Sequence, residues 1–441
     1  MDTKQRLHYR SDIDGLRALA VLAVVAFHAI PNRFPGGFVG VDVFFVISGF
    51  LISSIILNDL KRDCFSFANF YVRRIRRIFP ALTLVLVASW VAGWYILEPE
   101  AYAMLGQHMM AGAGFASNII LWSEQGYFDP IAGSKPLLHL WSLGIEEQFY
   151  LIWPLLLTLA SRATWKISIW ILSLLLISFL ISILALDKYP VATFYLLFGR
   201  FWELLLGALL AYVQLNHFNA LKSLQAAKAF QFNKIPVYAR DIVSLVGLVL
   251  IVAAIFILSE KSSFPGALAL IPTVGATMLI AAGQDSWTNK YLLSHKWMVA
   301  TGIISYPLYL WHWPLFTFAR ITSPMSEYPR SMITMLVGIA LFLSYLTYLF
   351  VEKPLRYGFT EQSKLVTKYL IGAITIVAGI GFLTNINGFN NRYPLNARQF
   401  LNLKYGYDDY KENFRNDKCL LSGTQQNFAN ECAGGGGYHT C

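Results

Sequence analysis

Residues Leu16–Ile30 read LRALAVLAVVAFHAI, an apolar run that holds two ionisable side chains, Arg17 and His28. Because an α-helix turns by about 100° per residue, their separation of eleven positions is three turns plus about 20°, and both side chains share one face. They are about 16 Å apart along the helix axis, roughly half the thickness of a bilayer core. Ionisable side chains in a membrane span usually line a polar cavity or a substrate path. The alternative is that Arg17 only reaches the cytoplasmic headgroups and that His28 forms hydrogen bonds inside the bundle.

The composition is that of an all-α polytopic membrane protein. Of 441 residues, 56% are hydrophobic and only 14% are charged, whereas soluble proteins carry roughly 25% charged residues. The apolar segments predict eleven spans, at residues 14–32, 38–58, 79–97, 141–160, 168–186, 193–213, 241–259, 264–283, 299–319, 333–351 and 366–384.

The distribution of basic residues predicts the orientation. The net charge of +10 would suit a nucleic-acid partner, but the basic residues are spread over alternate loops instead of one patch, so we expect no such partner. A cytoplasmic N-terminus places twenty basic residues in internal segments and six in external loops, as the positive-inside rule requires. Residues Met104–Trp122 are apolar enough for a further span, which would invert the topology after them. We predict an interfacial or re-entrant segment there instead.

The segment 385–441 differs from the rest of the chain, since it is polar and rich in Asn. The odd number of spans predicts that it lies outside the cytoplasm, where Cys419 and Cys432 are able to pair and Cys441 is left over. That leftover cysteine and the glycines at Gly434–Gly437 indicate a chain that stops before a downstream domain is complete.

The second predicted span carries polar groups in an apolar helix. Gly36–Phe50 reads GGFVGVDVFFVISGF and contains Asp42 and Ser48. Helix packing accounts for a glycine such as Gly49, but a carboxylate at the edge of a span requires a partner. We therefore place Asp42 and Ser48 in the substrate cavity.

The loop predicted at Tyr71–Pro80 holds four arginines within five positions, among them Arg73, Arg76 and Arg77. Arginine forks bind phosphates in bidentate fashion, so the loop suits a nucleotide-bearing donor such as a coenzyme A thioester. The alternative is an anchor for topology that contacts anionic lipid.

The segment His139–Tyr150 reads HLWSLGIEEQFY and enters the membrane from outside. His139 and Glu146 are seven positions apart and share a helix face, whereas Glu147 points about 100° away from Glu146. A buried carboxylate suits proton exchange or the orientation of an imidazole. Helical metal pairs more often use three- or four-residue spacing, so we expect no metal.

Two further spans contain ionisable residues. Arg200 and Glu203 are three positions apart and are able to neutralise each other, and a substrate role is equally open. His312 lies between Pro307 and Pro314, whose freed carbonyls are tolerated where they line a cavity. The histidines fall in the outer half and the arginines in the inner half of the membrane. A single polar path open to both sides explains this distribution.

These segments together resemble the acyltransferase-three family of membrane O-acyltransferases, in particular bacterial members that acetylate surface polysaccharide. The resemblance covers roughly residues 10–360, and six motifs occur in order. They are Arg17 with His28, the run at 44–50, Arg73–Arg77, 139–150, 305–314 and Glu352–Arg356.

The resemblance implies a ten-helix bundle over 1–360 that uses cytoplasmic acetyl-CoA and delivers acetyl to an external sugar hydroxyl. It further implies catalytic roles for His28 and Arg17, and donor handling by Arg73, Arg76 and Arg77. In some relatives an eleventh helix, here within 361–384, leads to a periplasmic domain with an SGNH fold. The tail 385–441 has no Gly-Asp-Ser nucleophile motif and is too short for that domain, so a missing domain or a separate SGNH-type partner is expected.

Our interpretation is an O-acetyltransferase of the bacterial inner membrane, acting on a glycan or lipid-linked saccharide of O-antigen, exopolysaccharide or peptidoglycan. His28 would serve as general base or as transient acyl carrier. Glu147 is assigned to the catalytic group in case the fold brings it near an imidazole. Asp42, Ser48, His139, Glu146, Glu203 and His312 are assigned to the substrate cavity. The alternatives are a permease with a His/Glu proton relay and a noncatalytic scaffold for a periplasmic partner.

Overall fold

The computed structural model describes residues 9–124, 132–162, 166–232, 235–323, 328–359 and 362–393. The predicted disulfide and the downstream-domain segment of the tail lie outside these residues. The described part of the chain is a bundle of α-helices in one compact unit that ends at Ile386. Its helices are α1 Ser11–Ala29, α2 Gly40–Lys61, α3 Phe67–Ile96, α4 Pro99–Ala113, α5 Ser117–Ser123, α6 Leu140–Arg162, α7 Ile167–Leu184, α8 Pro190–Tyr195, α9 Leu197–Asn216, α10 Phe218–Ala226, α11 Ala239–Ile257, α12 Leu270–Ala282, α13 Lys296–Ile303, α14 Ser305–Thr322, α15 Arg330–Leu346 and α16 Ser363–Asn387.

A few shorter elements complete the architecture. The strands β1 Lys228–Phe232 and β2 Ile235–Tyr238 pair antiparallel between α10 and α11. Turns of π-helix occupy Thr288–Leu293, Thr347–Glu352 and Pro354–Gly358, and 3₁₀ turns occupy Gly37–Val39, Ala132–Ser134, Gly266–Ala269 and Asn390–Arg392.

Seven helical segments within the described residues are long and apolar enough to cross a membrane. They are Gly37–Lys61, Phe67–Ile96, Ile167–Leu184, Pro190–Asn216, Ala239–Ile257, Arg330–Gly358 and Ser363–Asn387. The other four predicted spans also fall on helices, namely α1, α6, α12 and the pair α13–α14. The chain is therefore an all-α polytopic membrane protein.

The apolar segment Met104–Trp122 is not one continuous helix. The helix α4 ends at Ala113, and Phe115 follows with φ of 56° before α5 begins at Ser117. The fifteen residues of α4 extend about 22 Å, less than the thickness of a bilayer core. This break agrees with the predicted interfacial or re-entrant segment.

The helices differ in how they face their surroundings. The helix α1 packs against α2, α13 and α14 and buries most of its side chains. By contrast, α7, α11, α15 and α16 expose large apolar side chains such as Leu180, Val249, Phe342 and Ile376. Such an exposed apolar surface is favourable only against lipid, so α1 is a central helix and the other four form part of the periphery.

Glycines allow a close contact between α2 and α9. A Cβ added to Gly49 would lie 1.8 Å from the Leu204 oxygen, and one added to Gly207 would lie 2.1 Å from the Val46 oxygen. Small residues allow two helix backbones to approach this closely in a membrane protein. The contact brings Asp42 of α2 within reach of Arg200 of α9.

Candidate active site

A narrow cavity of about 70 Å³, here called the arginine cavity, lies among α1, α2, α3, α6 and α14. Three arginines and two glutamates line it together with Ser48, Tyr150, Tyr306 and Tyr309. The charged residues are Arg17, Arg74, Arg77, Glu146 and Glu147. The cavity therefore has a surplus of positive charge when every group is ionised, and it suits an anionic ligand.

The arginines project from a helix, because α3 continues through Tyr71–Pro80, where we predicted a loop. Helical periodicity decides which of them face the cavity. Arg77 and Arg74 line it, whereas Arg73 is half exposed and lies 3.7 Å from Asp59. Arg76 is buried and donates from Nε to the Leu355 carbonyl at 2.8 Å. Of the predicted donor-binding set, only Arg77 lines the cavity, and Arg74, which was not in that set, joins it.

The two glutamates of α6 lie in the arginine cavity and not beside His28. Ser48 and Tyr150 both donate hydrogen bonds to Glu146 Oε1. Glu147 Oε1 is buried and has no hydrogen-bond partner among the described residues. The predicted role of Glu147 near an imidazole thus has no geometric support, because the charged residues that share its cavity are Glu146 and three arginines.

A larger cavity of about 490 Å³, here called the histidine cavity, contains His28 and His139 in its lining. Arg200 and Arg320 also line it, and Arg320 donates from Nη2 to the His28 carbonyl at 3.0 Å. The rest of the wall is rich in aromatic rings, from Phe27, Phe38, Trp141, Phe194, Tyr195, Phe264, Tyr309 and Trp313. A cavity with apolar walls and a few convergent polar groups is typical of a small-molecule or saccharide site.

Three imidazoles meet beside this cavity. The ring centroids of His28 and His312 are 5.4 Å apart in a stacked arrangement, and those of His139 and His312 are 5.9 Å apart. His312 is fully buried, and its Nδ1 lies 3.1 Å from the Leu308 carbonyl. The indole ring of Trp313 contacts His28 at 4.5 Å between centroids. The three histidines that the sequence assigns to the site are therefore close together, but His312 is not among the residues that line the histidine cavity.

The carboxylate of Asp42 finds its partner on α9. Arg200 Nη1 lies 2.9 Å from Asp42 Oδ1 and 2.8 Å from Glu203 Oε1. The guanidinium is also surrounded by four aromatic rings at 5.2 to 5.9 Å. Arg200 and Glu203 thus pair as proposed from their spacing. Asp42 and Glu203, which we assigned to the substrate cavity, are not among the residues that line the histidine cavity. They bind Arg200, which does line it.

The two cavities share two lining residues, Val41 and Tyr309. The Tyr309 hydroxyl donates to the His139 carbonyl at 2.7 Å and lies 2.6 Å from Ser142 Oγ. The single path predicted from the sequence is therefore divided into two chambers at Tyr309. Arg17 lines one chamber and His28 lines the other.

Sequence reasoning missed several residues of the site. Tyr309, Trp313 and Arg320 are four and seven residues apart along α14 and share one helix face, which is the signal that would have found them. Arg74 would have been found by treating the arginine segment as helix.

The fold and the two cavities define a multi-pass membrane protein with two polar cavities beside one central helix. The acyltransferase domain family matches residues 10–351, and the chain belongs to this family.

The curated relatives of this chain have names that describe O-acetyltransferases. The chain is 33% identical to the YrhL protein of Bacillus subtilis over 382 residues, which is 82% of this chain and 57% of that protein. It is 31% identical to the peptidoglycan O-acetyltransferase OatA of Listeria monocytogenes, over 86% of this chain and 62% of that protein. It is 29% identical to the O-acetyltransferase OatA of Staphylococcus aureus, over 86% of this chain and 66% of that protein. The chain thus spans less than two thirds of each of these relatives. No solved structure matches it significantly.

Proposed function

We propose that this protein is a membrane O-acetyltransferase that moves an acetyl group from cytoplasmic acetyl-CoA to a hydroxyl of a glycan outside the cytoplasmic membrane. The observation that supports this proposal is a pair of cavities along α1, one lined by arginines and the other by histidines and aromatic rings. The two cavities share the lining residues Val41 and Tyr309. The names of the relatives favour peptidoglycan as the acceptor over O-antigen or exopolysaccharide.

The arginine cavity is assigned to the donor. Coenzyme A carries several phosphates, and guanidinium forks bind phosphate oxygens through paired hydrogen bonds. Arg74 and Arg77 lie six and three residues before Pro80 on α3, in the basic segment that the positive-inside rule places in the cytoplasm. With this orientation the N-terminus is cytoplasmic and the segment after α16 is periplasmic.

The histidine cavity is assigned to the acceptor, and His28 to general base catalysis. His28 removes the proton of the acceptor hydroxyl while that oxygen attacks the thioester carbonyl carbon. The carbon–sulfur bond then breaks, and the imidazolium returns its proton to the leaving thiolate. The aromatic wall supplies apolar surface for the faces of a sugar ring, and Arg320 holds the main chain of His28.

The first test is His28→Ala in the full-length protein, produced in cells from which the gene has been deleted. General base catalysis contributes about 10²- to 10⁴-fold, so base-labile acetate on purified peptidoglycan should fall to the level of the deletion strain. The exposed His295 offers the matched control, since His295→Ala should leave acetylation unchanged. Normal acetylation by a His28→Ala protein that inserts at wild-type levels would refute the catalytic assignment.

The second test concerns the donor. Arg77→Gln should raise the KM for acetyl-CoA of purified protein in nanodiscs by about tenfold or more, because a charge-assisted bond contributes about 1.5–3 kcal/mol. Arg73→Gln in the same helix should leave this KM unchanged, since Arg73 faces Asp59 and not the cavity. Equal effects of the two substitutions would indicate a general electrostatic role and contradict the donor site.

A permease would leave acetate free and not esterified to glycan, so the same glycan analysis excludes or supports that alternative.

A further inference from the structure

A buried charged cluster lies outside the two cavities. His108 of α4 places Nε2 2.8 Å from Glu124 Oε1, and Lys135 Nζ lies 2.9 Å from Glu124 Oε2. His108 and Lys135 are 3% and 2% exposed. Burying a lysine is costly without a counter-charge, and the geometry supplies one through Glu124. The cluster therefore fixes the ammonium of Lys135 at the point where the chain approaches α6.

The carboxyl group of Glu124 is ionised at neutral pH. Burial raises the pKa of Glu124, but the hydrogen bonds and charges of His108 and Lys135 outweigh burial and hold the pKa below its usual value. Glu124 lies at the end of α5, outside the candidate spans. Its carboxylate is therefore ionised and remains bonded to both neighbours under physiological conditions.

The main chain of Lys135 connects this cluster to the histidine cavity. The Lys135 carbonyl accepts a hydrogen bond from Trp313 Nε1 at 2.8 Å and another from the Leu138 amide at 3.1 Å. The first bond orients the indole that contacts His28. The second closes the turn that immediately precedes His139. One carbonyl thus sets the position of two walls around the imidazoles.

We infer that Glu124 is a positioning residue for acetyl transfer: it fixes Lys135, whose carbonyl holds Trp313 against His28. This inference rests on the proposed function, although the link from Glu124 to Trp313 is structural. A purely structural role of the cluster would change the amount of folded protein. A positioning role also changes the turnover of the protein that has folded, because small displacements of a catalytic group lower the rate.

The experiment is a double-mutant cycle on the full-length protein in nanodiscs, with acetyl-CoA and a soluble peptidoglycan fragment as substrates. Glu124→Gln and Trp313→Phe should each lower kcat about tenfold, while the KM for acetyl-CoA stays within twofold. The double variant should be no slower than the slower single variant, because both changes break the same link. Glu98→Gln at the exposed start of α4 is the matched control and should retain wild-type kcat.

Wild-type kcat per folded molecule in Glu124→Gln, or multiplicative losses in the double variant, would overturn the inference. If Glu124→Gln fails to fold, Trp313→Phe decides alone, since it keeps the cluster and an aromatic side chain but removes the N–H donor; an unchanged kcat then overturns the link. If the wild-type protein transfers no acetyl, the proposed function has failed instead. In that case the wild type, the two single variants and the double variant are compared by the loss of monodisperse protein on heating. Additive losses from Glu124→Gln and Trp313→Phe would overturn the link, whereas non-additive losses would support it.

Discussion

Replacing Arg200 with leucine removes the cation from a buried cluster of three charged residues in the site. The guanidinium is 1% exposed, and both of its carboxylate partners, Asp42 and Glu203, are 0% exposed. Its Nη1 donates hydrogen bonds to both carboxylates, at 2.9 Å to Asp42 Oδ1 and at 2.8 Å to Glu203 Oε1. Leucine leaves these two acidic groups in the interior of the bundle without a counter-charge.

The magnitude follows from this geometry. Removing one partner of a buried ion pair costs about 3–5 kcal/mol, because the other charge stays buried and unpaired. Here one substitution orphans two carboxylates and also empties a cage of four aromatic rings, so we expect the upper end of that range. At about 1.4 kcal/mol per factor of ten, a loss of about 5 kcal/mol should lower the ratio of folded to unfolded protein by roughly four-thousandfold. Such a loss is a large fraction of the 5–15 kcal/mol typical of a folded protein.

The assay measures survival, since membrane proteins removed from lipid rarely refold. Detergent-solubilised protein is held at a fixed temperature, and the monodisperse fraction is followed by size-exclusion chromatography, which reports kinetic stability. Glu203→Gln should be mild, because Arg200 keeps a one-to-one pair with Asp42. The triple variant Arg200→Leu, Asp42→Asn, Glu203→Gln should survive longer than Arg200→Leu, since its amides carry no charge.

If Arg200→Leu survived as long as wild type, Arg200 would not be the necessary counter-charge of Asp42 and Glu203. The charge-based explanation would also be refuted if the triple variant were no better than the single one, because the damage would then come from lost packing and not from stranded charge.

Three further outcomes are expected. Gly49→Ala should destabilise the protein by about 1–3 kcal/mol or more, because its Cβ would lie 1.8 Å from a backbone oxygen of α9; equal thermal survival would contradict this packing. Tyr309→Phe removes two hydrogen bonds, each worth about 0.5–1.5 kcal/mol, and should shorten survival in detergent without loss of insertion. The lowered pKa of Glu124 means that the folded state binds its proton more weakly than the unfolded state, so stability should decline as pH falls from the usual glutamate range through the lowered pKa. Glu124→Gln should flatten that decline in an acid series of thermal survival, and an unchanged slope would argue against the ionised cluster.

The helices could be predicted from the sequence because membrane spans are long and apolar, and each predicted span coincides with helix. Local pairs could also be predicted: Arg200 and Glu203 pair at the spacing of one helix turn. Arg17 and His28 both face the polar interior of the bundle, as eleven residues of helix require.

Contacts between distant helices could not be predicted in the same way. The carboxylate of Asp42 required a partner, but only the glycine-mediated approach of α2 to α9 shows that this partner is Arg200. The density of arginines predicts a loop at Tyr71–Pro80, but α3 continues through this segment, and Arg74 faces the cavity while Arg73 faces Asp59. The set Arg73, Arg76 and Arg77 is what the family resemblance implies and not a result of helix geometry. The division of the path at Tyr309 depends on how far α14 approaches α6, and that distance has no signature in one sequence.

The separation of the two chambers bears on which donor fits. Arg17 and His28 are about 16 Å apart along α1, so a group held by the arginines is far from the imidazole. A donor whose phosphates and reactive carbonyl were adjacent would leave one chamber unused. Acetyl-CoA carries its phosphates and its thioester at opposite ends of a long flexible arm, so it is able to keep its anionic end among Arg17, Arg74 and Arg77 while the acetyl group passes Tyr309. Under the proposed function, the arm of this donor would have to extend past Tyr309 to reach the imidazole, while its anionic end stayed beside the arginines.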